Sequence, residues 1–396
     1  MALLLIVVLA FMLVNNRSSA PGNLKLVVGL TEGGYPDFAL AVRQAAQLAY
    51  DAAAPSLTRS IELVFVNNSD PQKPINEMYE AQVIRDKLLD DLGVLAYVGA
   101  YSSGQARNTI LAANGGFLTV ISPSASWPGL TKPGFAPGEP GMHYPSGQRN
   151  FFRVVPADDV QGVAAARWLS QQGLRRVYIL HSTTTYGAGL AGIFEANAAD
   201  HGLEVLGKQL YNIDDVSEAQ IRLIVNSISQ AQPDAVLAAM SWEGKSGAVL
   251  RAVRRALPDT PVLGGDAIMQ DTLPDDHDAL NGVYATNLVA PPERLPNAQA
   301  FVVAYRERYS EEPADYQLPV YEAVQVALRA IDQAQEPTRR GVLRYLRTMS
   351  SYKGILGTWH FDRSGDISLQ TIAVARFEAD PDDPRLGVWR SVTVVN

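Results

Sequence analysis

The chain has 396 residues, 47% of them hydrophobic and 19% charged, which suits a soluble protein of roughly two to three domains at about 150 residues each. Its formal charge of −8 is dispersed and no basic run occurs; phosphate-backbone binding, which needs clustered Lys and Arg, is excluded. Cysteine is absent, removing disulfides, thiolate metal sites, a catalytic Cys and a lipidated Cys together.

Residues 2–14 form an apolar run, followed by Asn15, Asn16, Arg17 and then Ser18, Ser19 and Ala20. The run is shorter than the ~20 residues a membrane span needs, and it reads as a signal-peptide core with cleavage after Ala20. No Lys or Arg precedes it, so two alternatives stay open: the tail of a membrane anchor, or a buried N-terminal element. The expected location is periplasmic or extracellular, with membrane contact only through residues 1–23.

From residue 24 short β-branched runs alternate with longer amphipathic segments. Strands are expected at 24–30, 61–66, 94–98 and 117–121, and a helix over 38–53 that lines up Phe38, Val42, Ala45 and Ala49. The alternation resumes with strands at 177–180, 204–210, 235–239 and 261–263, and helices such as 191–199 and 219–228. Residues 128–148, dense in Gly and Pro, read as a loop or lid between the two series. Strands alternating with helices predict an α/β fold with parallel sheets covered on both faces.

Several chemical motifs fail on context. Gly187-Ala188-Gly189-Leu190-Ala191-Gly192 satisfies GxGxxG, yet a loop separates it from the strand and no acidic residue ends the next strand. Gly244-Lys245-Ser246 lacks the upstream Gly of a phosphate loop, where Ala239 stands. The five histidines show no ligand spacing, and neither HExxH nor GxSxG occurs. No metal, cofactor or catalytic apparatus is expected.

Four strand-to-helix junctions carry the positive signal. They are Val98-Gly99-Ala100-Tyr101-Ser102-Ser103-Gly104, Ile121-Ser122-Pro123-Ser124-Ala125-Ser126, His181-Ser182-Thr183-Thr184-Thr185-Tyr186, and Leu263-Gly264-Gly265-Asp266. Small hydroxyl residues opening a helix offer N–H and O–H donors to an anion, and ligands of open α/β sheets sit beyond the carboxyl ends of strands. Each has a structural alternative: helix capping for Ser102, Ser103 and Asp266, core packing for Tyr186 and Trp242.

Taken with Phe152-Arg153-Val154-Val155-Pro156 and the following Asp159 and Gln161, with Tyr321-Glu322-Ala323, and with Tyr352-Lys353-Gly354-Ile355-Leu356-Gly357, these junctions resemble the type I periplasmic binding proteins. The closest likeness is to the branched-chain amino-acid (Leu/Ile/Val) binding family of ABC importers. The resemblance implies two Rossmann-like lobes joined by a three-crossing hinge: 24–152 plus 288–357, and 153–287 plus 358–396. It implies a ligand carboxylate held at Ser103 (or Ser102, one residue away) and at Ser124, Ala125 and Ser126. An ammonium would meet Asp266, with Tyr186 closing over the ligand. Trp242 falls where the family more often has Tyr and cannot accept a hydrogen bond there. The implied role is non-enzymatic: a monomer binds an amino acid or close analogue, closes on it and presents it to an ABC permease. A ligand-sensing domain of a signalling protein is the alternative. The loops at 31–36 and 128–148 depart from the family where side-chain specificity would be set.

Overall fold

The computed structural model describes residues 23–33, 35–73, 76–269, 280–380 and 387–395; the apolar run and cleavage motif expected at 2–20 lie outside them. Among the described residues no helix is long and apolar enough to cross a membrane.

The first half builds one parallel sheet from β1 (Leu24–Leu30), β2 (Ile61–Asn67), β3 (Val94–Val98), β4 (Thr119–Ser122) and β5 (Phe151–Arg153), in the order β2-β1-β3-β4-β5. Every residue of β3 and β4 is buried, as expected of strands covered on both faces. The helix Pro36–Ala53 begins with Pro and Asp in its first turn and buries Ala39, Val42, Ala45, Ala46 and Ala49, the i, i+3, i+4 stripe of a sheet-packing helix. β4 starts two residues later than the hydrophobic run suggests, because Phe117 has φ +54° and closes the turn after the preceding helix.

The second sheet comprises β6 (Arg176–Ser182), β7 (Glu204–Tyr211), β8 (Ala235–Ala239), β9 (Val262–Gly264) and β10 (Tyr284–Asn287), parallel in the order β7-β6-β8-β9-β10. After a small antiparallel pair, β11 (Tyr352–Gly354) with β12 (Gly357–Trp359), β13 (Ile372–Ala379) and β14 (Gly387–Val395) extend the second sheet antiparallel from β10. The helix after β6 runs over Thr185–Ala198 rather than from 191. Its three glycines mask the helical pattern, and the Thr184 hydroxyl caps it by accepting from Gly187 N–H at 3.0 Å.

Between β10 and β11 the chain returns to the first sheet. The helix Gln317–Gln333 packs Val320, Ala323, Val324 and Ala327 into the core shared with Leu26 and Val28. Its Gln317 and Gln325 amides donate to the carbonyls of Ala41 (3.0 Å) and Ala49 (2.7 Å) on Pro36–Ala53. Arg339, opening the next helix, donates to the carbonyls of Leu88, Leu89, Asp91 and Val94. The first and third crossings are tied at Arg153, which is fully buried: its Nε donates to Asp366 Oδ1 at 2.7 Å and its N–H to Gly365 O at 3.0 Å.

Residues 128–148 are a packed strap, not a lid. Leu130, Thr131, Glu139 and His143 are buried. Glu139 accepts from the Trp127 indole N–H at 2.8 Å and pairs with Arg107 at 2.6 Å. None of these residues lines the cleft described below.

Candidate functional site

The four junctions meet around one cavity of about 190 Å³ between the two sheets. Ser103, Ser124, Ser126, Tyr186, Trp242 and Asp266 all line it; Ala125 does not. The Ala125 N–H is taken by Ser122 Oγ (2.8 Å) and its carbonyl by Arg153 Nη1 (3.1 Å), so its backbone braces the junction.

On the first-lobe side the helix Ser103–Asn114 points its N-terminus into the cavity. Ser102 is its cap, accepting from Gln105 N–H at 3.2 Å while the Gln105 amide oxygen accepts from Ser102 N–H; this is a capping box. Ser103 Oγ accepts from Trp127 N–H at 3.1 Å, leaving its own proton to donate. Ser124 Oγ donates to Tyr101 O at 2.7 Å. Ser126, 1% exposed, lies beside the Asp158 carboxyl, yet neither its hydroxyl nor either Asp158 oxygen makes a hydrogen bond of normal geometry among the described residues.

On the second-lobe side Tyr186 OH and Gln161 Nε2 both donate to Asp266 Oδ1, each at 2.8 Å. Gly265 is required here, because a β-carbon on it would collide with the Tyr186 hydroxyl. Gly265 supplies the N-cap position of the short turn Asp266–Ile268, and the Asp266 carboxylate also accepts from the N–H groups of Asp266 and Ala267 in that turn. Its pKa is raised by burial and pulled back down by the hydrogen bonds from Gln161 and Tyr186. Asp158 is pushed up further, first by burial and then by the charge of Asp266. Two carboxyls sharing a dry corner want a cation or a shared proton. Trp242 is half-buried, lines the cavity and fixes its backbone by donating to Ala267 O at 3.1 Å.

Several wall residues were not singled out from the sequence. Tyr35 lies in the departing 31–36 loop, and Thr31 of the same loop joins it on the wall. Phe38 stacks against Tyr316 (centroids 4.9 Å, 27°) and meets Tyr101 edge-on (5.2 Å, 87°). Glu77 and Glu243 add two carboxylates from opposite lobes. Asp158 is fully buried behind the wall, beside Ser126 and within the field of Asp266, whereas Asp159 pairs with Lys132 at 2.7 Å. The lobes touch beside the cavity, where Arg107 Nη1 donates to Thr185 Oγ1 at 3.3 Å and the Trp127 ring packs so close to Gly189 that a β-carbon there would clash.

Two α/β sheets joined by three crossings, with a cavity at the strand ends between them, define a two-lobed ligand-binding fold. The chain belongs to the periplasmic binding protein family, whose sequence profile matches residues 27–382. It is 26% identical over 321 residues to "Leu/Ile/Val-binding protein homolog 1" of Brucella abortus, covering 79% of this chain and 78% of that one. It is 24% identical over 305 residues to the leucine-, isoleucine-, valine-, threonine- and alanine-binding protein of Pseudomonas aeruginosa, covering 76% of each. A leucine-binding protein from Thermotoga maritima has the same fold, with a TM-score of 0.76 at 21% identity over 94% of this chain and 99% of that one.

Proposed function

We propose that this chain is an extracytoplasmic solute-binding protein that captures an amino acid or close analogue and presents it to an ABC importer, without catalysing a reaction on it. The observation that carries this reading is the Asp266 carboxylate, held by Tyr186 and Gln161 on the wall of the cavity, together with the hydroxyls and helix N-terminus of the Ser103 junction on the same wall. A zwitterion asks for that polarity: acceptors at its ammonium and donors at its carboxylate.

Capture proceeds by hinge closure. Residues 24–152 plus 288–357 would move as one lobe and 153–287 plus 358–396 as the other. Ser103, Ser124 and Ser126 come from the first and Tyr186, Trp242 and Asp266 from the second, so only the closed form presents the whole site and only that form is read by the permease. The protein works as a monomer. Calorimetric screening of ligand-free protein against α-amino acids, amides and small carboxylates tests the reading: an α-amino acid is expected to bind best, and a best ligand lacking an amino group contradicts it.

A further inference from the structure

The cavity wall carries Glu77, Glu243 and Asp266 and, among the described residues, no Lys, Arg or His. Asp266 is satisfied by Tyr186 and Gln161 and is matched by an α-ammonium. Glu77 and Glu243 are left over. Glu243 receives one long hydrogen bond from Ser241 Oγ at 3.4 Å, and the charges that act on it are those of Glu77 and Asp214, both negative. Glu77 lies against the first turn of the helix Ser103–Asn114, where a β-carbon on Gly104 would strike its carboxylate, and it feels Arg107, which is not on the wall. Neither glutamate makes an ion pair among the described residues.

We propose that the natural ligand is an α-amino acid with a cationic side chain, whose distal charge sits between Glu77 of the first lobe and Glu243 of the second. This rests on the amino-acid reading of the same site. A neutral aliphatic side chain would leave two carboxylates desolvated and unpaired in a closed cleft, which opposes binding. A guanidinium or ammonium removes that cost and joins the lobes electrostatically, adding to closure. The stem of such a side chain is apolar, and the Phe38, Tyr101 and Tyr316 rings with Trp242 supply a wall for it and a face for its cation. That a ligand completes this cavity is indicated independently by the Ser126 hydroxyl, 1% exposed and on the wall, which lies beside the Asp158 carboxyl yet makes no hydrogen bond of normal geometry. Burial raises the pKa of both glutamates, that of Glu243 to about 7, with Arg107 pulling only Glu77 back down.

The test is calorimetry of protein freed of ligand by unfolding and refolding, titrated with arginine, lysine, glutamine and leucine. Arginine or lysine is expected to bind at least ~100-fold more tightly than leucine, and E77Q and E243Q each to lose on the order of 10- to 100-fold of that affinity while binding leucine more tightly than wild type does. Leucine or glutamine binding as tightly as the basic amino acids overturns the proposal and leaves the amino-acid reading standing. Binding of none of the four, nor of any other α-amino acid, overturns both. The wild-type comparison needs no variant to fold.

Discussion

Tyr186 donates its phenolic hydrogen to Asp266 at 2.8 Å, and the oxygen it reaches is the same one that the Gln161 amide approaches. The shared acceptor fixes the carboxylate, which also accepts from the backbone N–H groups of Asp266 and Ala267 and lines the cavity. Asp266→Ala is therefore expected to cut amino-acid affinity by about 100-fold or more, as loss of a charge-assisted partner in a closed site does. Tyr186→Phe keeps the packing and is expected to cost about 10-fold. Calorimetry on both variants, with melting curves as a folding control, checks the pair; an Asp266→Ala protein that binds as wild type removes the ammonium site.

Ser126 separates binding from stability. Its hydroxyl is buried and meets the Asp158 carboxyl without a hydrogen bond of normal geometry, so it adds little to the free protein, and Ser126→Ala should change the melting temperature only slightly. The same change is expected to weaken amino-acid binding about 10-fold. A loss of stability without loss of affinity would return Ser126 to a purely structural role.

The hinge pair makes a different prediction. Arg153 holds Asp366 and also donates to the carbonyls of Ala125 and Trp127. The guanidinium beside it, together with Lys132, keeps the Asp366 pKa below the ordinary carboxylate range despite burial. Arg153→Ala leaves the buried Asp366 carboxylate to the cation of Lys132, 3.4 Å away, and is expected to destabilise by about 3 kcal/mol, measured by denaturant unfolding. A change under 1 kcal/mol would show that the crossings are not joined there.

Stability should fall as pH rises through neutrality. Burial lifts Glu80, Glu243 and Glu322 to about 7 each, against an ordinary value near 4.5, with hydrogen bonds from Tyr97 and Asn68, from Ser241 and from Trp359 only partly offsetting it. Between pH 4.5 and 7 the folded chain thus holds protons that the unfolded chain has released, and the slope of unfolding free energy with pH is negative. Asp366 and Asp332, whose pKa values are lowered, act in the opposite sense and only below about pH 4. Melting temperatures of ligand-free protein are expected to be higher at pH 5.5 than at pH 8; a flat or inverted profile contradicts this.

The sheets were legible from the sequence because buried parallel strands are short unbroken apolar runs: β3 and β8 fall where those runs lie, and β1 matches residue for residue. The hydroxyl-rich junctions were legible for the related reason that strand ends open onto ligands. Glu77, Glu243, Tyr35 and Phe38 were not, since a residue's place on a wall between two lobes depends on how the lobes face one another, and periodicity along one element carries no such information. Asp158 and Asp159 are adjacent, and only the helix phase, which turns Asp158 toward Ser126 and Asp159 toward Lys132, decides between them. Residues 128–148 looked like a lid because Gly and Pro erase periodicity; what orders the strap is Glu139, gathered by Trp127, Arg107 and His143.

The central claim is that an α-amino acid is held by its ammonium at Asp266. The most direct measurement compares the best-binding amino acid with its desamino analogue by calorimetry at pH 7.5. Binding of the amino acid at least ~100-fold more tightly, with the difference abolished in Asp266→Ala, is the predicted result; equal affinities for the two would contradict it.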